Sequence, residues 1–156
     1  MISLRPLDRR DADRVVNIAP RPDQERFAGT VAAALAEAET VDLHEICEGE
    51  RAVGLFKIDR AYHLNHDFAD PGDLGLRGVL LDAGVQGRGI GTGAMRCLPD
   101  YLPPRYPTAA KVYLTVNFRN PAAIAVYRKA GFTDDGRVFL GGSAGPQHVM
   151  HLDLAR

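Results

Sequence analysis

The chain between Leu76 and Met95 reads LRGVLLDAGVQGRGIGTGAM, an apolar run followed by alternating glycines. The apolar part predicts a buried strand, and the glycines stand where a helix begins. The start of a helix has four backbone N–H groups without intrahelical partners and about half a positive elementary charge. Glycines at that position let an anion approach the bare amides, so the stretch predicts a phosphate-binding loop.

The spacing of these glycines separates three kinds of phosphate loop. A P-loop closes on Gly-Lys-Ser/Thr, and no glycine in this run precedes a lysine. A dinucleotide fingerprint needs G-x-G-x-x-G and an acidic residue about twenty positions further on. The next predicted strand ends at Val116-Asn117 without a carboxylate. The pattern that remains is Gln-x-x-Gly-x-Gly, at Gln86, Gly89 and Gly91.

A second stretch, residues 112–132, reads VYLTVNFRNPAAIAVYRKAGF. It gives a strand, then Asn120, then a helix containing Tyr127, then Gly131-Phe132. The two stretches resemble motifs A and B of the GCN5-related N-acetyltransferase (GNAT) family, in the order and at the separation usual there. Taken alone, the glycines also fit a strand-to-helix turn with no ligand, and the second motif argues against that interpretation.

The resemblance implies an α+β fold with a central mixed, mostly antiparallel sheet, one splayed parallel strand pair and flanking helices. A length of 156 residues suits one domain, so we expect a single acetyltransferase domain over residues 1–156. The charged fraction of 25% and the hydrophobic fraction of 46% are those of an ordinary globular protein, which excludes a disordered chain.

The net charge of −1 argues against nucleic acid as a partner, since nucleic acid binding needs a basic face. It leaves room for an acidic pocket that takes a cationic amine. No apolar run approaches the length of a membrane span, and the first five residues do not open a signal peptide, so we expect a cytoplasmic protein. Cys47 and Cys97 form no Cys-x-x-Cys, which argues against zinc or a redox dithiol.

Periodicity and turn residues predict the remaining elements. We expect strands at 2–7, 41–47, 52–58, 74–81, 111–116, 132–140 and 147–154. We expect helices from Asp8 or Asp11 to Pro20, from Pro22 to Ala38, from Ile90 to about Leu102 with Pro103-Pro104 as its stop, and from Asn120 to Ala130. Residues 62–73 predict a long loop, and residues 141–146 predict the last connection.

The resemblance implies acetyl-CoA as the cofactor, bound between the two parallel strands. Backbone groups of Leu81 and Asp82 would then lack strand partners and hold the pantetheine arm. The residues that the resemblance assigns to cofactor binding are Leu81, Asp82, Gln86, Gly87, Arg88, Gly89, Ile90, Gly91, Thr92, Asn120 and Tyr127. The Arg88 side chain suits either a phosphate contact or a solvated surface position.

Tyr127 matches the family tyrosine that donates a proton to the departing thiolate. A free thiol has a pKa of about 8.5 and a phenol one of about 10, so full proton transfer is slightly uphill. A hydrogen bond from Tyr127 to the sulfur is therefore the other role that fits this residue. A tyrosine that only packs beneath the helix is the alternative without a function.

The acceptor amine must lose a proton before it attacks. Holding a lysine-like amine neutral at pH 7 costs about 4.6 kcal/mol, so a base or a low-dielectric pocket is needed. Some family members carry a glutamate at the position that matches Gly75. With glycine there, the candidates for base or amine binder are Asp73 and Glu45, and a water relay is equally compatible with the sequence.

We therefore predict an acetyl-CoA-dependent N-acetyltransferase in which a primary amine of a small molecule attacks the thioester directly. The alternatives are a non-catalytic acyl-CoA-binding regulatory domain and a protein or peptide N-acetyltransferase. The chain also has a faint likeness to diamine and polyamine acetyltransferases. Arg77 argues against a polyamine substrate, because it would repel a polycation if it faced the pocket. His63 and His66 lack a third metal ligand, so we expect no metal. The sequence leaves a homodimer open.

Overall fold

The computed structural model describes residues 1–142 and 145–154. Its centre is one seven-stranded sheet with the strand order β1-β2-β3-β4-β5-β7-β6. The strands are β1 (Ile2–Pro6), β2 (Val41–Glu48), β3 (Arg51–Asp59), β4 (Leu74–Leu81), β5 (Lys111–Asn117), β6 (Thr133–Phe139) and β7 (Gln147–Asp153). Of the predicted connection at 141–146, Ser143 and Ala144 lie outside the described residues.

Five α-helices flank the sheet: α1 (Glu25–Ala28), α2 (Val31–Leu35), α3 (Ile90–Arg96), α4 (Leu98–Arg105) and α5 (Pro121–Lys129). Helices α3 and α4 bury Met95, Leu98 and Leu102 against one face of the sheet, and α5 packs there as well. The other face is covered by α2 and, further along, by the loop that contains Tyr62. The longest described helix has nine residues, and none in the described part of the chain is long and apolar enough to cross a membrane.

All neighbouring strands in the sheet are antiparallel except β4 and β5, which are parallel. Only two residue pairs join these two strands, Leu74 with Val112 and Gly75 with Tyr113. Beyond them the strands separate, and the last six residues of β4 run to the glycine loop without a partner on that side. The predicted fold, a mostly antiparallel sheet with one splayed parallel pair, is confirmed.

A bulge in β4 accompanies this separation. The pairing with β3 skips from Leu55–Leu80 to Lys57–Arg77, so two residues of β4 oppose one of β3. Gly78 lies in the bulge with φ +57°, and a Cβ there would come within 2.5 Å of the Lys57 side chain. Glycine is needed at this position because both the left-handed backbone and the close side chain exclude a larger residue.

Two predicted N-terminal helices are shorter than expected. Asp8 caps the first as predicted, but it is a six-residue 3-10 helix, Arg9–Arg14, and Val16 is 53% exposed. The second is divided into α1 and α2 by Gly29, whose φ of +78° no right-handed helix contains. The apolar spacing is compatible with one continuous helix, but the backbone conformation of Gly29 ends α1 before α2 begins.

The predicted helix from Ile90 to Leu102 is also divided. It ends at Arg96, and α4 begins at Leu98 with Pro99 in its first turn, where the missing amide costs no hydrogen bond. The prediction that Pro103 and Pro104 stop the helix was wrong, since both lie inside α4. The chain leaves the helix at Tyr106, whose amide donates to Leu102.

Helix α5 has the ends that the sequence predicts. The Asn120 side chain accepts from the amide of Ala123 at 3.3 Å, and Pro121 takes the first helical position. Beyond the last turn, Gly131 has φ +102° and Phe132 donates to the Tyr127 carbonyl at 3.0 Å, which forms a Schellman cap. These caps fix the rotation of α5 and therefore the direction of its side chains.

A buried polar group ties α4 to the sheet away from the glycine loop. Both ring nitrogens of His44 contact tyrosine hydroxyls, Tyr101 at 2.6 Å and Tyr106 at 2.9 Å. Tyr106 in turn donates to the Asp42 carboxylate at 2.7 Å. Because His44 is buried and stacked on Phe56, its protonated form is disfavoured.

Burial lowers the pKa of His44 from its ordinary value of 6.5 to about 4. The unfolded chain therefore takes up a proton below pH 6.5 while the folded protein stays neutral at this site. We predict that this group contributes stability above pH 6.5, and that about 3 kcal/mol is lost as the pH falls to 4. Urea unfolding at pH 7 and pH 4.5 measures the loss. His44→Gln should flatten this dependence, and an unchanged pH slope would contradict the assignment.

Candidate active site

Two adjoining cavities open where β4 and β5 separate. The first, which we call the loop cavity, has a volume of about 380 Å³ and is lined by the glycine loop, α3 and α5. The second, the strand cavity, has a volume of about 260 Å³ and lies between β4, β5 and α1. Six residues line both cavities: Phe27, Ala28, Val79, Asn120, Ala123 and Tyr127. The two spaces therefore form one path across the gap.

The glycine loop carries a run of unused amides. From Gln86 to Thr92, no backbone N–H donates to an acceptor among the residues that the structure describes, and the first helical bond is from Gly93 to Gly89. Gly87 and Gly89 have φ of +80° and +77°, and open space lies where their side chains would be. Such a nest of amides at the start of a helix is an anion site.

Contacts inside the loop hold it open. The Asp82 carboxylate accepts from the amides of Gly84 and Ala19, at 3.2 and 3.1 Å. The Gln86 side chain donates to the Leu81 carbonyl at 3.1 Å, which closes the loop onto the end of β4. These contacts show that the Gln86 side chain shapes the loop.

The expectation for Asp82 needs correction. Its amide donates to the Val53 carbonyl of β3 at 2.9 Å, so it keeps a partner on the antiparallel side, and it does not line the loop cavity. Leu81, by contrast, lines that cavity. The separation of the strands removes backbone hydrogen-bond partners only on the β5 side of β4. The sequence pattern does not show which side each backbone N–H or C=O group faces.

Arg88 also departs from its expected role. Its guanidinium contacts the Glu48 carboxylate at 2.6 and 3.3 Å, across the surface to the β2–β3 hairpin. Arg88 does not line the loop cavity, whose described lining contains no charged side chain. The prediction of a phosphate contact from this side chain is therefore not supported, and the groups that the loop offers to an anion are its amides and the nearby Thr92.

Asn120 and Tyr127, which the second motif assigns to the cofactor site, line both cavities. Asn120 caps α5 and lines both spaces. The ring of Tyr127 packs edge-to-face on Phe132, with centroids 5.6 Å apart. Its hydroxyl has no hydrogen-bond partner in the described part of the chain. Burial raises the pKa of Tyr127, so the phenol stays protonated at neutral pH and is able to donate.

Neither predicted base lies at the cavities. Glu45 is 2% exposed and is held by Arg5 at 2.9 Å and Arg14 at 2.7 Å, on the face covered by the N-terminal segment. Asp73 precedes β4 at the end away from the glycine loop, where it accepts from the Asp70 amide at 2.9 Å. Both carboxylates serve local structure, so we correct their assignment as catalytic bases.

The missing glutamate at Gly75 has a steric reason. A Cβ on Gly75 would lie 1.9 Å from the Tyr62 ring, which occupies the space above this residue. Tyr62 is 1% exposed and stacks on His66, with 3.7 Å between the ring centroids. A tyrosine ring from the 62–73 loop has therefore taken the place of a side chain from β4.

Sequence reasoning missed the wall contributed by α1. Arg26, Phe27 and Ala28 line the strand cavity, opposite Thr115 and Gln147. Phe27 belonged to a helical pattern that predicted only a cover for the sheet. The break at Gly29 was the available signal, because a helix end near a cavity exposes side chains that a continuous helix would bury.

The loop histidines show no metal site. His66 donates from Nδ1 to the Tyr62 carbonyl, 3.0 Å away, and packs among aromatic rings. Among the described residues, no group of three or more His, Cys, Asp or Glu is placed to hold a metal ion. The expected absence of a metal stays a prediction.

A parallel strand pair that splays beside an amide-rich glycine loop defines an acyl-CoA-binding acetyltransferase fold. Residues 3–132 match the family model described as the acetyltransferase (GNAT) family. The chain therefore belongs to the GNAT family of acetyltransferases, and the predicted family and enzyme class are confirmed. Acetyl-CoA is the acetyl donor of this family, so the predicted cofactor is confirmed as well.

One curated relative is the uncharacterized N-acetyltransferase YbbJ of Bacillus subtilis (strain 168), 32% identical over 111 residues. The match covers 68% of this chain and 66% of the relative, slightly less than two thirds of that protein's length.

Solved structures agree in fold. The aminoglycoside acetyltransferase AAC(6')-Ib in complex with coenzyme A has a TM-score of 0.77 at 22% identity, covering 98% of this chain and 95% of its own. The same enzyme with coenzyme A and kanamycin gives 0.77 at 23% identity, with the same coverage. A mutant of the spermidine N-acetyltransferase SpeG of Vibrio cholerae gives 0.69 at 16% identity, covering 98% and 94%.

We predict that Gly75→Ala destabilises the protein by about 1–3 kcal/mol, because the added methyl group overlaps the buried Tyr62 ring. Denaturant unfolding measures this loss. Gly93→Ala is the matched control, since its Cβ would meet nothing closer than 3.9 Å and alanine favours a helix. In a Tyr62→Ala background the cost of Gly75→Ala should shrink. A full cost in that background would contradict the steric explanation.

Proposed function

We propose that this protein transfers the acetyl group of acetyl-CoA to the primary amine of a small molecule, by direct attack of the amine on the thioester. The observation that carries the proposal is the run of unused amides from Gln86 to Thr92 at the open end of the splayed strands. A diphosphate fits a nest of this kind, and the path from there leads past Tyr127 into the strand cavity.

The separation of β4 and β5 supports the placement of the pantetheine arm. Pantetheine contains two amides, and an extended amide chain between the strands would restore the hydrogen bonds that β4 lacks on this side. Leu81 and Val79 line the loop cavity at this place. When bound, acetyl-CoA supplies an activated acyl group, and the chain orients it by backbone contacts.

Tyr127 is the proton donor of the proposed mechanism. It lies where the two cavities meet, its hydroxyl is uncommitted among the described residues, and its raised pKa keeps the proton in place at neutral pH. A hydrogen bond from this hydroxyl stabilises the negative charge that develops on the departing sulfur.

The strand cavity favours a neutral amine without a carboxylate base. Among its described residues the polar groups are hydroxyl and amide side chains, from Thr115, Tyr127, Asn117, Asn120 and Gln147, together with Arg26. An ammonium ion gains no ion pair there, so its pKa falls toward neutrality and water removes the proton. This supports the water relay over a direct carboxylate base.

A non-catalytic acyl-CoA-binding domain is the second candidate function. The described wall of the strand cavity has no carboxylate that could act as a base, which favours a domain without turnover. Binding of acetyl-CoA does not need such a base. Measurement of thiol release separates the two: binding of acetyl-CoA without release on a panel of amines that includes spermidine and kanamycin would favour the regulatory domain.

We predict that Tyr127→Phe slows thiol release by about a hundredfold and leaves the affinity for acetyl-CoA nearly unchanged. The rate is measured with a thiol reagent and the affinity by isothermal titration. Tyr113→Phe is the matched control, since Tyr113 is a buried tyrosine of β5 that lines neither cavity. An unaltered rate in the Tyr127 variant would remove this hydroxyl from the mechanism.

We predict that Gly89→Leu abolishes detectable acetyl-CoA binding, because the side chain enters the space above the amides. Gly136→Leu is the control for backbone strain, since both glycines have φ +77° and nothing lies within 4 Å of either Cβ. Each substitution should cost about 1–2 kcal/mol of stability. If the two variants bind acetyl-CoA with equal affinity, the glycine loop is not the binding site of the diphosphate.

A further inference from the structure

We propose that the acceptor is a primary amine that also carries a carboxylate, such as an amino acid, and that Arg26 binds this carboxylate. The inference rests on the proposed function and names the substrate class of the same site. It sets this chain apart from an enzyme for polycationic amines.

The charge of the cavity walls is the first observation. Arg26 is the only charged side chain among the described residues that line either cavity. A polycation bound at the strand cavity would meet this cation and no carboxylate. Because burying an ammonium ion without an anionic partner is costly, a polycationic acceptor fits these walls poorly.

The state of Arg26 is the second observation. Its guanidinium lies over the ring of Phe27, 4.6 Å from the centroid, and Phe27 lines both cavities. No carboxylate of the described residues forms an ion pair with it. Arg26 is exposed, and its contact with the Phe27 ring leaves the N–H donors available for bidentate binding of a carboxylate.

The charges beneath the strand cavity do not alter this picture. Lys57 and Arg77 lie near Gly78, and both are paired with Glu37, at 2.7 and 3.2 Å. Arg77 also contacts Asp59 at 3.4 Å. Two cations and two carboxylates balance within this group. Arg77 therefore neither repels nor attracts an acceptor by itself, and Arg26 remains the uncompensated charge.

The position of Arg26 separates this role from cofactor binding. It lines the strand cavity and not the loop cavity, which is the cavity that the glycine loop lines. An acceptor held through its carboxylate at Arg26 has its amine free to point toward Tyr127, where the two cavities meet.

Matched acceptor pairs test the proposal. Alanine and ethylamine, histidine and histamine, and tyrosine and tyramine each share one amine and differ in the carboxylate. We expect at least one amino acid to exceed its decarboxylated partner about tenfold in kcat/KM. Arg26→Met should remove this preference and keep the affinity for acetyl-CoA. Arg21→Met, an exposed arginine of the same segment that lines neither cavity, should keep the wild-type ratio.

The outcomes distinguish this inference from the proposed function. Faster thiol release with every decarboxylated amine, or with a polycation, would overturn the carboxylate inference and leave the acetyltransferase intact. A preference that survives in Arg26→Met would overturn the role of Arg26. No release with any acceptor, although acetyl-CoA binds, would overturn the proposed function and this inference together.

Discussion

The loss of pairing between β4 and β5 is the constraint on which the rest of the site depends. Two residue pairs, at Leu74 and Gly75 of β4, hold the strands together. Beyond them, among the described residues, β4 is paired only with β3, and β5 only with β7. A parallel pair that stays closed would satisfy its own backbone and leave no room between the layers. Because it opens, the backbone at the end of β4, the start of α3 and one face of α5 all border the same space.

Small residues and rings determine what this space contains. Seven amides of the glycine loop, from Gln86 to Thr92, have no acceptor among the described residues, and Gly78 lets β4 bulge beside Lys57. At Gly75 the absence of a side chain admits the Tyr62 ring, so β4 carries no carboxylate at this position. In the described part of the chain, the cavity walls offer backbone donors, neutral polar side chains and one arginine. Such a site favours an anionic cofactor and a neutral amine.

Local signals allowed the sequence to predict the sheet, the glycine loop and α5, because caps, turns and apolar periods act within a few residues. Helix continuity was less predictable: a single Gly29 or Pro99 outweighed a consistent apolar spacing. The charged residues could not be assigned from sequence. Glu45 meets Arg5 across 40 positions, and Arg88 meets Glu48 across another 40, so the tertiary fold decides which charges reach the cavity.

A crystal structure with bound acetyl-CoA tests the central claim most directly. We expect the diphosphate oxygens at hydrogen-bond distance, about 3 Å, from the amides between Gly87 and Gly91, with the pantetheine arm between β4 and β5. The thioester should lie beside the Tyr127 hydroxyl. A diphosphate bound elsewhere, or strands that close and pair along their full length with the cofactor outside, would contradict this arrangement and the activity derived from it.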